Sequence, residues 1–228
     1  MSISGDRAQK MRLLPYALNH AQAVDDVMRF IVICSLILFT IVIATMVFFV
    51  FKYNHKRNPR ATSIPGNVPL EIFWTVIPTV LVLAMFYVGW EAYLQIRIVP
   101  KNAMPVKVFA RQWSFSFEYM NGKRCDTLYV PKGRPIDCLI TSLDVIHSFY
   151  LPAFREKQDA LPDRIRHMVV YPEHLGVFDV VCTQYCGLDH SLMKTKMIVL
   201  PDTTFDSWIK SSSTAEPKVA LGDSTIYF

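Results

Sequence analysis

The chain has 228 residues, enough for one or two domains, and 52% of them are hydrophobic, with a mean hydropathy of +0.25. That balance points away from an ordinary soluble domain and toward a membrane protein. The formal charge of +5 is unevenly placed: Lys52, Lys56, Arg57 and Arg60 crowd one short segment between two apolar runs, and no basic stripe suited to nucleic acid exists.

Residues 1–29 are mixed and polar, with R-A-Q-K-M-R at 7–12 and Pro15, and could be read as the basic start of a signal peptide. The apolar run from Phe30 to Phe51 is too long for a signal core, however, and no small-residue cleavage pattern follows it. Its twenty-two residues, at about 1.5 Å each, reach roughly 33 Å against a hydrocarbon core of about 30 Å, so a transmembrane helix is expected. The connector K-Y-N-H-K-R-N-P-R-A-T-S-I-P-G-N-V-P cannot continue a helix. A second apolar run from Glu71 to about Tyr93 carries Trp74 at one end and Trp90 and Tyr93 at the other, as an interfacial aromatic belt would. The two runs are expected to make a helical hairpin whose basic connector lies on the inner side of the membrane, with both termini on the outer side. Pro78 is expected to kink the second helix mildly.

After Pro100 the pattern shortens to strand length: Val106 to Ala110, Trp113 to Tyr119, Asp126 to Val130, Ile136 to Ser142, Met168 to Tyr171, Gly176 to Cys182 and Lys196 to Leu200. Pro, Gly and Asn/Asp punctuate them, as in an antiparallel sandwich or barrel. T-T-F-D-S-W-I-K then reads as a short amphipathic helix, and 211–228 as a loose tail. The expected domains are therefore an N-terminal segment at 1–29, a transmembrane hairpin at 30–94, a β-domain at 95–210 and the tail. Of five cysteines, Cys34 sits inside the first apolar run, and Cys125 and Cys138 flank V-P-K-G-R-P, where a disulfide across a turn is conceivable in an oxidising compartment. No C-x-x-C-H occurs, so no covalent c-type haem is carried.

The chemistry concentrates in V-C-T-Q-Y-C-G-L-D-H-S-L-M at 181–193, which sets Cys182, Cys186, His190 and Met193 on one loop. Two thiolates, an imidazole and a thioether form a soft ligand set that favours copper, because methionine is an unusual ligand for structural zinc. Two thiolates exceed what one blue-copper ion uses, but a thiolate pair can bridge two coppers if a second imidazole is supplied. His147, in D-V-I-H-S-F-Y-L-P, is the best candidate. A metal-free cysteine pair or a short-loop disulfide remains the competing reading of the loop alone.

This loop resembles the binuclear copper loop of subunit II of haem-copper cytochrome c oxidases. D-V-I-H-S-F at 144–149, F-R-E-K-Q-D-A-L-P at 154–162 and Q-W-S-F-S-F-E-Y at 112–119 are similar to the same family in the same order, over roughly residues 25 to 210. The resemblance implies a cupredoxin-like Greek-key barrel, all-β, on the α-helical hairpin. It implies Cys182 and Cys186 bridging both coppers, with His147 and Met193 completing one and His190 and the main-chain carbonyl of Gln184 the other. The family usually has Glu at that last position, whose side chain helps hold a magnesium ion at the subunit boundary; Gln184 lacks that carboxylate. Trp113 matches the tryptophan where electrons arrive. Glu71 matches a glutamate near the inner mouth of a proton pathway, and Asp159 a carboxylate facing arginines near the partner's haem propionates. Where Asp163 stands the family has Gly, so a different loop geometry is expected there.

What the resemblance implies is the electron-accepting subunit of a proton-translocating cytochrome c oxidase. Its partners would be subunit I with haem and copper, subunit III, cytochrome c or another small donor, and membrane lipid. It would lie in a bacterial or mitochondrial inner membrane, with the copper domain on the outer side. E-Y-M-N-G-K-R-C-D near Trp113 has few acidic residues, which argues against a strongly basic donor steered from long range. The competing readings are the copper subunit of a nitric oxide reductase in the same superfamily and a membrane-anchored copper carrier or assembly protein. His20, His55, His167 and His174 lie outside the matching motifs and read as surface or structural.

Overall fold

The computed structural model describes residues 20–60, 62–63, 65–211 and 217. The chain divides into two compact units, one holding Val24–Tyr93 and the other Leu94 onward with the start of the first helix. The expected segment at 1–29 and the tail at 211–228 lie largely outside the described residues.

Most of two helices lies in the first unit: α1, His20–Lys52, and α2, Val68–Ile96. Both are long and apolar enough to cross a membrane, and neither buries its apolar window inside the protein. Their hydrophobic residues face outward all round, which in water would be prohibitive and in lipid is required. Each helix runs past the apolar run that announces it. α1 begins ten residues before Phe30 and takes in Asp25, Asp26 and Arg29, because helix hydrogen bonding needs no apolar side chain, and Arg29 pairs with Asp26 at 3.4 Å. α2 is capped by Asn67, whose Oδ1 accepts the Leu70 N–H at 3.1 Å, and Pro69 sits in the first turn where a missing N–H costs nothing. Pro78 lies inside α2 without ending it.

Ten strands build the second unit. They are β1 Met104–Arg111, β2 Ser114–Tyr119, β3 Arg124–Cys125, β4 Leu128–Pro131, β5 Ile136–Ser142, β6 His147–Leu151, β7 Glu156–Ala160, β8 Arg166–Val170, β9 Gly176–Cys182 and β10 Lys194–Leu200. They form two five-stranded sheets, β3-β2-β1-β5-β8 and β4-β10-β9-β6-β7. This is the cupredoxin-like double sheet of the expected class, but not wholly antiparallel: β1 pairs β5 and β10 pairs β4 in parallel. The chain crosses to the second sheet at β4 before returning as β5, so the returning strand lies beside β1 in the same direction.

The sequence pattern left out β3, β6 and β7. H-S-F-Y-L lacks clean alternation because four of its five residues are buried, and E-K-Q-D-A is a polar run on a sheet edge, where charge is tolerated because one side of the backbone is unpaired. All five cysteines are free. The disulfide considered for Cys125 and Cys138 is excluded because β3 and β5 are separated in the sheet by β2 and β1. Asp163 holds φ 56°, a left-handed conformation that glycine adopts freely and Asp tolerates better than most residues.

Phe115 and Phe117 of one sheet meet Phe149 of the other edge-on, with ring centroids 5.5 and 6.1 Å apart. Each such contact contributes about 0.5–1.5 kcal/mol beyond area burial. A final helix α3, Asp202–Lys210, buries Phe205 and Trp208 against Tyr119 and Tyr129. Its other face is polar, as the amphipathic reading of T-T-F-D-S-W-I-K requires.

Candidate metal centre

The site lies at one rim of the barrel, where three connections converge because of strand pairing. β1 and β5 run in parallel and end together, with Ala110 opposite Ser142, so the β1–β2 turn carrying Gln112 and Trp113 lies beside the β5–β6 loop. β9 ends beside the start of β6, with Cys182 opposite Phe149, which brings the 183–193 loop to the same rim. Hydrogen bonds knit the three together. The Leu143 N–H donates to the Ala110 carbonyl at 2.9 Å, the Gln112 N–H to Asp144 Oδ2 at 2.7 Å, and Gln112 Nε2 to the Cys186 carbonyl at 2.8 Å.

The side chains and main-chain oxygen expected as ligands lie together. Cys182 Sγ is 3.9 Å from Cys186 Sγ and 3.3 Å from the Gln184 carbonyl oxygen. Cys186 Sγ is 3.5 Å from His190 Nδ1 and 3.7 Å from Met193 Sδ. His147 completes the cluster: its ring and the two thiols bring ligand atoms within 4.8 Å of one another, all on buried residues. Met193 and His147 are at most 1% exposed. The Gln184 side chain is exposed, so its main-chain oxygen is the atom the site can use.

The residues fit a soft metal. The sulfur separation of 3.9 Å is far beyond a disulfide bond of about 2.05 Å. Ligands bound at about 2.0–2.3 Å around one tetrahedral ion stand roughly 3.3–3.8 Å apart, a range that includes the spacing between Cys186 and its neighbours. His147 supplies the sharpest sign. One ring nitrogen, Nε2, is 2.7 Å from Asp144 Oδ1, while the other, Nδ1, is buried and has no hydrogen-bond partner. A buried, unpaired imidazole nitrogen costs about 1–3 kcal/mol unless something binds it. With Asp144 accepting the proton of Nε2, the free lone pair lies on Nδ1.

In the sequence Asp144 and Gln112 stand only as members of motifs, and nothing marks Gly187. The structure gives each a task. Asp144 is held below the usual carboxylate range: burial opposes this, but hydrogen bonds from the Gln112 N–H, His147 and the Val145 N–H prevail. It thus stays anionic where it faces the imidazole. Gly187 has φ 120°, and a Cβ there would stand 3.0 Å from Gln112 Nε2 and 3.3 Å from the Trp113 ring, so only glycine lets the loop close on the β1–β2 turn. Burial, then the neighbouring Cys182, pushes the metal-free Cys186 thiol up to about 11, so metal binding must displace its proton.

Trp113 is half-buried against this loop, with its indole Nε1 buried and unpartnered. Two of the expected residues stand outside the cluster. Glu71 is exposed in the first turn of α2, and Asp159 is on β7, with Oδ1 3.2 Å from Lys157 Nζ. His167 contacts Asp137 at 2.9 Å on the sheet surface and has no part in the cluster.

Comparison with known proteins adds family information to this geometry. The family model for the cytochrome C oxidase subunit II periplasmic domain matches residues 123–200, and that for its transmembrane domain matches residues 9–88. The alternative cytochrome c oxidase subunit 2 of Bradyrhizobium diazoefficiens is 30% identical over 223 residues, covering 84% of this chain and 80% of that one. Cytochrome c oxidase subunit 2 of Alkalihalophilus pseudofirmus is 30% identical over 213 residues, covering 87% of this chain, which spans 61% of that relative's length. Among solved structures, the periplasmic domain of subunit II of cytochrome oxidase from Bradyrhizobium japonicum is 30% identical and superposes with a TM-score of 0.47, covering 50% of this chain and 95% of that one.

Proposed function

The chain belongs to the cytochrome c oxidase subunit II family, and on that premise we propose that it is the electron-accepting subunit of a haem-copper oxidase. In this reading His147, Cys182, Gln184 through its carbonyl, Cys186, His190 and Met193 hold a binuclear copper centre. Electrons come from an external donor, cytochrome c or another small carrier, and pass to haem in subunit I, where oxygen is reduced to water. The hairpin at 30–94 anchors the chain, the barrel at 95–210 lies on the outer side of the membrane, and the complex translocates protons.

The observation that carries the proposal is the unpartnered Nδ1 of buried His147 beside two buried thiols, with Asp144 on the opposite ring nitrogen. Bound copper supplies one-electron redox chemistry to this ligand set. The chain's own contribution is rigidity. Asp144 fixes the His147 ring and its tautomer. Gln112 clamps the Cys186 carbonyl, Gly187 lets the clamp close, and the Cys182 N–H bonds the Met193 carbonyl at 3.0 Å across the loop ends. Ligands so held move little between oxidation states, which keeps the reorganisation accompanying transfer small. Burial of the sulfurs excludes water from the site.

Trp113, packed against the Gly187 loop, is the side chain through which electrons would reach the centre. Glu71, at the dipole-favoured start of α2, is the proposed mouth of a proton path. Gln184 has no side-chain carboxylate to offer a boundary magnesium ion, so such an ion would have to draw its charge from subunit I.

Metal analysis and paramagnetic resonance of the purified complex test the reading. Two coppers per chain sharing one unpaired electron are expected; a single copper, or colourless zinc, would overturn it. Assaying oxygen against nitric oxide with the co-purified catalytic subunit separates the oxidase from a nitric oxide reductase. Freely exchangeable copper with no catalytic partner would identify a carrier instead.

A further inference from the structure

The rim around the metal centre is apolar. Leu143, Val145, Ile146, Tyr185, Leu188 and Leu192 all expose large side chains, from 40% for Val145 to 87% for Leu188. They come from two of the loops that Gln112 and Asp144 tie together, so they share one end of the barrel. Exposed apolar groups gathered on one face mark an interaction site, and the centre of a transient interface has this composition.

Leu143 also borders a groove of about 400 Å³ on the outer face of the first sheet, floored by Phe109 and Ser116 and walled by Arg111, Glu118 and Arg124. This flank is basic. Glu118 is the only carboxylate among the groove-lining residues. It is shared by two cations, Lys107 Nζ at 2.7 Å and Arg124 Nε at 2.6 Å. Arg111 is exposed at the rim end of the same strand, with Nε donating to Ser114 Oγ at 3.2 Å. Arg111 and Arg124 against Glu118 leave the groove lining positive, and Lys107, outside the lining but bonded to Glu118, adds to that sign. The whole segment 94–211 has the same sign, with fifteen Lys and Arg against twelve Asp and Glu.

We propose that this combined surface docks the electron donor, and that the donor is a protein whose docking face has an apolar centre and an acidic edge seated in the Arg111–Arg124 groove. The inference rests on the electron-accepting role proposed above and specifies its partner. Apolar contact over the 183–193 loop brings the donor's redox group close to Trp113. The groove selects by charge, since a lysine-ringed donor would meet like charge along Arg111, Lys107 and Arg124, while an acidic one is attracted and oriented.

The test uses the intact oxidase complex and two cytochromes c of matched potential, one with an acidic docking face and one with a basic face. Affinity and the second-order rate of copper reduction are both measured over a range of salt concentrations. The acidic donor is expected to bind more tightly, and its rate to fall roughly tenfold or more as salt rises past 0.1 M, where the screening length is about 10 Å. The basic donor's rate should rise over the same range. Arg111→Glu and Arg124→Glu should each weaken acidic-donor affinity several-fold, and Glu118→Gln, which adds net positive charge, should strengthen it. A basic donor that binds more tightly and slows with salt would overturn the proposal, as would groove variants that leave both donors unaffected. Loss of the catalytic subunit from the Arg124→Glu complex would assign the groove to a subunit contact and overturn it too. If neither donor reduces copper that dithionite does reduce, the electron-accepting role fails and the docking surface with it.

Discussion

Asp144 and His147 are three residues apart and in direct contact, Oδ1 to Nε2 at 2.7 Å, and the contact leaves Nδ1 as the imidazole's only free nitrogen. Asp144→Asn retains the shape but removes the anion facing the ring. Copper affinity is expected to fall about 10–100-fold, the usual cost of losing a carboxylate behind a ligating histidine. Competition against a chelator of known strength measures it, and unchanged affinity would show that the imidazole is oriented by something else.

Gly187 and Gly122 make a controlled pair. Both have positive φ, 120° and 83°, but a Cβ at Gly122 meets nothing within 4 Å, whereas one at Gly187 meets Gln112 and Trp113. Gly122→Ala should lower stability by about 1 kcal/mol through backbone strain alone. Gly187→Ala should cost more and alter the copper spectrum, because the loop must retreat from the β1–β2 turn. Thermal melts and spectra of both variants check this; equal effects would remove Gly187 from the site's architecture.

Gln184→Ala should leave the copper centre nearly unchanged, because the side chain is exposed and only the carbonyl oxygen stands near Cys182, at 3.3 Å. Loss of the mixed-valence spectrum in this variant would make the amide side chain a ligand or a loop support.

Trp113→Phe separates an electron path from simple packing. Trimming a partly buried ring costs typically a kcal/mol or more, but here the exchange also removes a buried indole N–H without a partner, which returns about 1–3 kcal/mol. Stability should therefore stay within about 1 kcal/mol of the parent, while rapid-mixing reduction of copper by the donor slows sharply. A destabilised variant with normal reduction kinetics would make Trp113 a packing residue.

Glu118 gives a pH signature away from the metal. Lys107 foremost, then Arg124, hold its carboxyl below the usual range against an opposing effect of burial. A depressed folded pKa means that the contribution is full above the unfolded value of about 4.3 and disappears as pH falls through the lower folded value. The melting-temperature advantage over Glu118→Gln should be flat from neutral pH down to about 5 and shrink below about 4. An advantage that persists in acid would mean the ion pairs are not its source.

Much of this protein is local, and local features are legible in a chain of residues. Two uninterrupted apolar runs require membrane helices because backbone polar groups in lipid must bond within their own segment. Cys182, Cys186, His190 and Met193 lie close enough along the chain that any compact loop brings them together, and their softness selects the metal class. Strands with clean alternation, such as Gly176–Cys182, were legible for the same reason.

Only the tertiary structure decided what encloses that loop. Nothing in the composition of β1 or β5 signals that they pair in parallel, because the pairing is non-local and depends on the chain's crossing to the second sheet. Yet that pairing puts Asp144 within reach of both Gln112 and His147, and together with β9 against β6 it sets Gln112 and Trp113 against Cys186 and Gly187, more than seventy residues away. The same non-local pairing keeps Cys125 and Cys138 on separate strands. The sequence thus determined which side chains could hold a metal, through residue type and short spacing. The packing of distant strands determined which imidazole nitrogen is left free, what holds it there, and which apolar side chains stay exposed around it.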